Sequence, residues 1–279
     1  MQVLDSARFY LLERGFLSVS LLAGANYFFV QASLPPICIG MKPDISFREL
    51  MVRLEINFSK KALQEIRKIR ELIDIWNIRA LYSGHKIDLR GNYSEKELDE
   101  VLLLHSGLPA YVFEFLGQFE TNAAKLNHFS GLLARFLTEE AKSSRGMLKK
   151  YFEFERHFRL VMAALRAKEF GLDVSLVFQF EDLSDPFVLY LLAQKDAEKL
   201  ELPEEFAEIK NLLASCGKDP LAQHKVLTEW KFAEMFKMSA ESPFSIDPTI
   251  AYTISLLLVE DWIALDEQLG KEALKTCME

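Results

Sequence analysis

The sequence predicts a mainly α-helical protein with at most one or two short strands. Three observations predict it. Apolar residues recur at intervals of three and four, the period of one helix face. Gly and Pro are scarce, 12 and 9 among 279 residues, so few positions break a helix. Capping signals stand at the ends of the periodic stretches. Half of the residues are hydrophobic and 27% are charged, which is enough apolar material for a large core.

The elements follow in order. Phe16–Met41 carries no charged residue, a length that could cross a bilayer. Leu21-Leu22-Ala23-Gly24-Ala25 also imitates a signal-peptide cleavage site. Asn26, Gln31, the pair Pro35-Pro36 and the leading acids Asp5 and Glu13 favour a third reading. This is a helix over Phe9–Leu22 followed by a buried extended segment, Tyr27–Leu34.

A well-defined helix is expected from Ser59, its N-cap, to Tyr82. Its seam is Ala62, Ile66, Ile69, Ile73, Trp76 and Ala80, and Gly84 closes it in the left-handed conformation. Gly91-Asn92 is a turn. Ser94 and Glu97 form a capping box that opens a helix through Leu104. Pro109 restarts the chain into a helix at Tyr111–Phe119, and Leu126–Leu137 follows. After a break at Ser143–Gly146 comes a second long helix, Met147–Phe170, with the seam Leu148, Tyr151, Glu155, Phe158, Met162 and Leu165. Val174–Phe180, β-branched and aromatic, reads as a short strand or extended link. Helices are expected from Pro186 to Lys199, after Pro203, over Leu221–Met238, and from an N-cap at Asp247 to about Leu269.

Three of these helix ends are alike. Trp76–Gly84 reads WNIRALYSG, Ala163–Gly171 reads AALRAKEFG and Trp262–Gly270 reads WIALDEQLG. The first two share an Ile/Leu-Arg-Ala triplet at one distance from glycine. The first and third share a Trp, with Asp74 and Glu260 two residues before it. Stacked helical repeats bury a shared core, so repeats are expected around 59–119, 147–200 and 221–270.

The inventory of reactive groups is thin. His85, His105, His128, His157 and His224 are scattered without metal-ligand spacing. There is no nucleophile elbow, phosphate-binding loop or dinucleotide fingerprint. Cys38, Cys216 and Cys277 are odd in number and far apart, which speaks against disulfides and zinc and for a reducing cytoplasm. Cys38 reads as an inert thiol buried in an apolar run. Glu181, Asp182 and Asp185 could collect a cation, but Asp185 before Pro186 reads as a helix cap and Glu181-Asp182 as a solvated loop. A net charge of -8 excludes nucleic-acid binding through the whole surface and disfavours anionic lipid.

Polar residues on apolar seams say more. Asp74 and Asn77 flank Trp76, with Arg70 four residues before Asp74. Glu155 sits on the second seam with Arg159 one turn on, and Arg166 lies in the second triplet. Buried charge is costly unless paired. These groups are either i,i+4 ion pairs that fix helix register or the lining of a polar groove that receives another subunit.

The stretch Glu71–Leu104 resembles the C subunit of V-type and A-type ATP synthases, the counterpart of the eukaryotic d subunit. Asp74, Asn77, Ile78, Arg79, Gly91, Ser94, Glu97 and Leu98 carry the resemblance. Residues 153–171 and 245–262 look like the matching parts of later repeats. Asn26–Pro35 is similar to the opening of an uncharacterised bacterial family encoded in V-type ATP synthase gene clusters, which would make 1–25 an extension to a body at 26–279. The chain is shorter than a typical member of the C-subunit family. The resemblance implies a funnel of three helical bundles, a non-catalytic adaptor between the central stalk and the membrane rotor ring. It implies no cofactor, metal or small-molecule substrate, and a cytoplasmic chain held peripherally at the membrane through the complex. It turns Asp74, Trp76, Asn77, Arg79, Glu155, Arg159, Arg166 and Trp262 into candidate interface or structural residues. A helical partner-binding scaffold unrelated to ATPases is the alternative, and a carboxylate–metal enzyme around EDLSDP the third reading.

Overall fold

A computed structural model describes residues 27–197 and 199–265, and the expected helix at Phe9–Leu22 lies outside them. Among the described residues the regular structure is helical throughout, with no strand. Residues 27–33 are helical, not extended, and Val30 is the buried side chain of that turn. Then come α1 (Phe47–Asn57), α2 (Lys60–Tyr82), α3 (Glu95–Leu104), α4 (Ala110–Leu116), α5 (Asn122–Asn127) and α6 (Phe129–Ser143). They are followed by α7 (Gly146–Glu169), α8 (Val174–Val177), α9 (Pro186–Leu192), α10 (Glu208–Cys216), α11 (Pro220–Ser239) and α12 (Asp247–Ala264), with a 3-10 turn at Glu204–Phe206.

The local chemistry explains most boundaries. Ser46–Glu49 and Ser94–Glu97 are complete capping boxes at the starts of α1 and α3. Where a strand was expected, Asp173 accepts the Ser175 N–H and starts α8 instead. The helix expected over Leu126–Leu137 is two, because His128 folds its ring onto Phe119, 4.5 Å between centroids, and joins its Nδ1 to the Ala124 carbonyl. Helix α9 stops at Leu192, seven residues early. Gln194 exchanges hydrogen bonds with Glu201, and Lys168 collects the carbonyls of Lys195 and Ala197, so the chain turns there. At α12 the cap is Ile246 and Asp247 is the first helical residue, its N–H donated to the Ser245 hydroxyl. Cys38 is exposed, not buried.

The chain gathers into two compact units, residues 1–66 with 228–279, and residues 67–227; the division falls within α2 and within α11. In the first, α12 packs on α1. Leu50 and Leu54 of α1 and Ile250, Ala251, Ile254, Leu256 and Val259 of α12 are buried, as suits a helix apolar nearly all round. Long-range hydrogen bonds close this unit: Phe47 N–H to Glu260 Oε1 (2.7 Å), Tyr252 OH to the Pro35 carbonyl (2.9 Å) and Gln31 Nε2 to the Ser245 carbonyl (2.6 Å). In the second unit α6 and α7 form the main helix pair, with Phe136 and Phe152 edge to face at 5.8 Å. A further apolar cluster joins Leu160, Ala164 and Ala167 of α7 to Val174, Phe178, Val188 and Leu191. Among the described residues no helix is long and apolar enough to cross a membrane.

Candidate functional site

The polar residues that the sequence singles out lie on α2 and α7, in the second unit, together with several that it does not. On α2 the buried face differs from the expected seam. Ala62, Ile66 and Ile69 are buried, but Ile73 and Ala80 are only partly so and Trp76 is 44% exposed. The buried residues here are Asp74, Ile75, Asn77 and Ile78. The loop 85–93 is the reason, because it folds back over that side of the helix. Asp74 Oδ1 accepts the Asn92 N–H (2.8 Å) and the Tyr93 N–H (3.4 Å), and its Oδ2 accepts the Asn92 side-chain amide (2.7 Å). Asn77 exchanges two 2.8 Å hydrogen bonds with the Asp88 backbone. Arg70 donates to the carbonyls of Arg90 (3.0 Å) and Gly91 (2.5 Å). Burial raises the Asp74 carboxyl from its ordinary 3.8 to about 6, against the pull of the Asn92 and Tyr93 donors and of the Arg70 charge. Asp74 and Asn77 therefore hold their own chain, not a partner.

A second cluster joins α2, α4 and α6. The buried Glu140 receives Lys68 Nζ (2.8 Å), Tyr111 OH (2.9 Å) and Ser143 OH (3.2 Å). Lys68 also donates to Ser143 Oγ and Ser144 Oγ. Glu71 lies beside them, 3.4 Å from Arg67. Burial first, then the Glu140 and Asp74 charges, lift its carboxyl from 4.5 to about 7, opposed by Arg67 and Lys68. Only the tertiary fold shows that Glu140 meets Lys68 from another helix.

The third cluster corrects the expectation at α7. Glu155 is partly exposed, and the buried charge is its neighbour Arg156. Arg156 pairs with Glu181 (3.1 Å) and Asp185 (2.8 Å), and Arg159 also pairs with Glu181 rather than filling the expected bond to Glu155. The side chain of Glu181, expected in a solvated loop, is 4% exposed. Asp185 caps α9 as expected, accepting the Phe187 and Val188 N–H groups. Burial raises its pKa, but the Arg156 hydrogen bond and charge and the helix donors hold it below the usual carboxylate range. Asp182 turns away to Ser184. The three carboxylates of EDLSD do not converge, and among the described residues no group of three or more His, Cys, Asp or Glu is arranged to hold a metal. His157 stacks face to face on Phe187 at 3.8 Å. Burial first, then Arg156, lowers its pKa to about 4, leaving it neutral.

Comparison with known proteins bears on this helical, internally tied chain. A family described as proteins of unknown function, DUF2764, matches residues 24–279. The chain belongs to this family. An uncharacterized protein of Chlamydia trachomatis is 29% identical over 253 residues, 88% of this chain and 94% of the relative. One of Chlamydia muridarum is 28% identical with 88% and 95% covered, and one of Chlamydia pneumoniae is 30% identical over 225 residues, 78% and 85%. No solved structure matches.

In this DUF2764 chain the first two look-alike helix ends have one geometry. At Gly84 (φ +69°) the His85 N–H reaches the Ala80 carbonyl at 2.8 Å and the Gly84 N–H reaches Leu81. At Gly171 (φ +66°) the Leu172 N–H reaches Ala167 at 2.8 Å and the Gly171 N–H reaches Lys168. Both are Schellman ends, and the alanine of each Arg-Ala pair supplies the same carbonyl. Arg79 and Arg166, the equivalent residues before those alanines, both point outward. The third end differs. Helix α12 stops at Ala264, two residues after the partly buried Trp262, and Gly270 lies outside the described residues. Gly91 shows how tightly the first loop is pressed down. A Cβ there would stand 2.9 Å from Asn77 Nδ2 and closer still to Asp74 Oδ1.

Proposed function

We propose that this chain is a non-catalytic adaptor subunit of a rotary V-type ATPase, linking the central stalk to the membrane rotor ring. The observation that carries the reading is the Glu71–Leu104 segment. It resembles the stalk-to-ring adaptor of V-type and A-type ATP synthases, and its most distinctive residues are spent on rigidity. Asp74, Asn77 and Arg70 fasten a helix to the loop and capped helix that follow it. A part that passes rotation from one body to another has to be stiff, and its buried polar groups serve that end best when they are fully bonded. The clusters at Glu140 and Arg156 have the same character, with acids matched by bases from other helices. A peripheral position at the membrane, through the complex, goes with this role.

The test is co-purification. The tagged chain is cross-linked in cells that carry it and isolated, and stalk and rotor-ring subunits are expected with it in a constant ratio. Preparations of the intact V-type complex that consistently lack the chain would sink the proposal. They would favour a helical scaffold serving another assembly, a reading supported by the exposed side chains Phe170, Leu172 and Leu176.

A further inference from the structure

The outward face of α2 carries a feature that the internal clusters do not explain. Trp76, Arg79 and Tyr82 follow one another at intervals of three residues, the spacing of one helix face. Trp76 lies 5.3 Å from Phe129, and the Arg79 guanidinium stands over both rings at 5.8 and 5.5 Å. Lys125 Nζ stands 4.9 Å over the Tyr82 ring. Among the described residues neither Arg79 nor Lys125 makes an ion pair; their side-chain partners are these rings. Asp99 is an acid whose charge is felt on this edge, at Tyr82. A cation in the last turn of a helix is favoured by the helix dipole, which accounts for Arg79 as a structural residue. It does not account for a tryptophan left 44% exposed beside it in a chain of net charge -8.

We propose that the Trp76–Arg79–Tyr82 face of α2, with Lys125 beside it and the buried Phe129 behind it, is a docking surface for an acidic segment of another protein. The segment presents Asp or Glu next to a large apolar side chain. Tryptophan and arginine dominate binding hot spots because each combines broad apolar contact with a directed polar group. The rings hold the two cations in place before binding, so less side-chain freedom is lost on contact. The carboxylates meet Arg79 and Lys125 while the apolar side chain covers Trp76. Two cations are too few for a phosphate backbone or for a sheet of anionic headgroups. The surface is independent of the rotor assignment.

A random peptide library panned on the full chain tests this. Enriched peptides are expected to carry Asp or Glu beside Leu, Phe or Trp. They should bind the double variant Arg79→Gln/Lys125→Gln about tenfold or more weakly, and lose about as much on Trp76→Ala. Arg79→Lys keeps the charge but loses the flat guanidinium over the rings, so it should weaken binding less than the double variant does. Arg79 is exposed and Lys125 partly exposed, so the double variant should melt with the parent, and circular dichroism checks that it does. Enrichment without acidic residues, no enrichment, or equal binding to the double variant overturns the proposal. So does binding of phosphatidylglycerol vesicles or self-association that depends on these same two cations. A chain that still joins a V-type complex after any of these results leaves the rotor reading standing.

Discussion

Removing the Asp74 carboxylate takes away the acceptor of the Asn92 and Tyr93 N–H groups. The Asn92 side-chain amide would keep only its longer bond, to the Arg67 carbonyl at 3.2 Å. Asp74→Ala should therefore lower unfolding free energy by about 2 to 3 kcal/mol, measured by urea titration, with Asp74→Asn milder because one acceptor oxygen survives. At Glu181 the stake is larger, since two guanidinium groups share one buried carboxylate. Glu181→Ala should cost about 3 to 5 kcal/mol. Replacing Arg156 and Glu181 together by Met and Leu should recover much of that, because the desolvation cost goes with the charges. A result in which the double replacement is as harmful as the single would show that Arg159 and Asp185 depend on the pair.

At the scale of elements, glycines separate two kinds of constraint. Gly84 and Gly171 face open space but hold left-handed backbone, so alanine at either should cost about 1 kcal/mol and fray one helix end in hydrogen exchange. Gly91 has no positive φ to defend. It is crowded by Asp74 and Asn77, and Gly91→Ala should cost about 2 to 3 kcal/mol by pushing the loop off α2. What the sequence made legible follows the same division. The ends of α2, α3 and α7 are encoded within a few residues, as Ser59, Ser94 with Glu97, and the two glycines, and they read correctly. Ser46 with Glu49 carries the same signature for α1, but the mixed charges around it hide any apolar period. The face of α2 could not be read. Periodicity finds a stripe, and which stripe is buried depends on a loop arriving from residues 85–93. Partners distant in sequence, such as Lys68 with Glu140 or Arg156 with Glu181, leave only a misplaced charge as their trace. At α7 the seam drew attention to Glu155 when the buried charge was one residue on.

For the whole molecule the titrating groups predict an acid-shifted stability optimum. Glu71 holds its proton up to about 7 in the folded chain against 4.5 when free, and Asp74 up to about 6 against 3.8. The folded state thus binds protons that the unfolded state has released. That contribution is complete below the free values and is lost as pH rises through the folded ones. Asp185 and Asp88 are shifted down, so their share is lost in strong acid. Melting temperature should rise as pH falls from about 8 toward 5 and decline below about 4. Glu71→Gln, which mimics the protonated side chain, should raise it near pH 8, by less near pH 5, and leave it unchanged only below about pH 4. A wild-type curve flat across that range would show that Glu71 is solvated and its cluster loosely held.

The crowding at Gly91 also has a meaning for descent. Positions 74, 77 and 91 occupy one small volume, and a change at any of them alters what the other two can be. A relative with a side chain at position 91 should lack the carboxylate at 74, or have moved the loop. One that keeps Asp74 and Asn77 should keep glycine there. The three positions should be inherited as a single character, and sequences sampled across the family can be sorted by it.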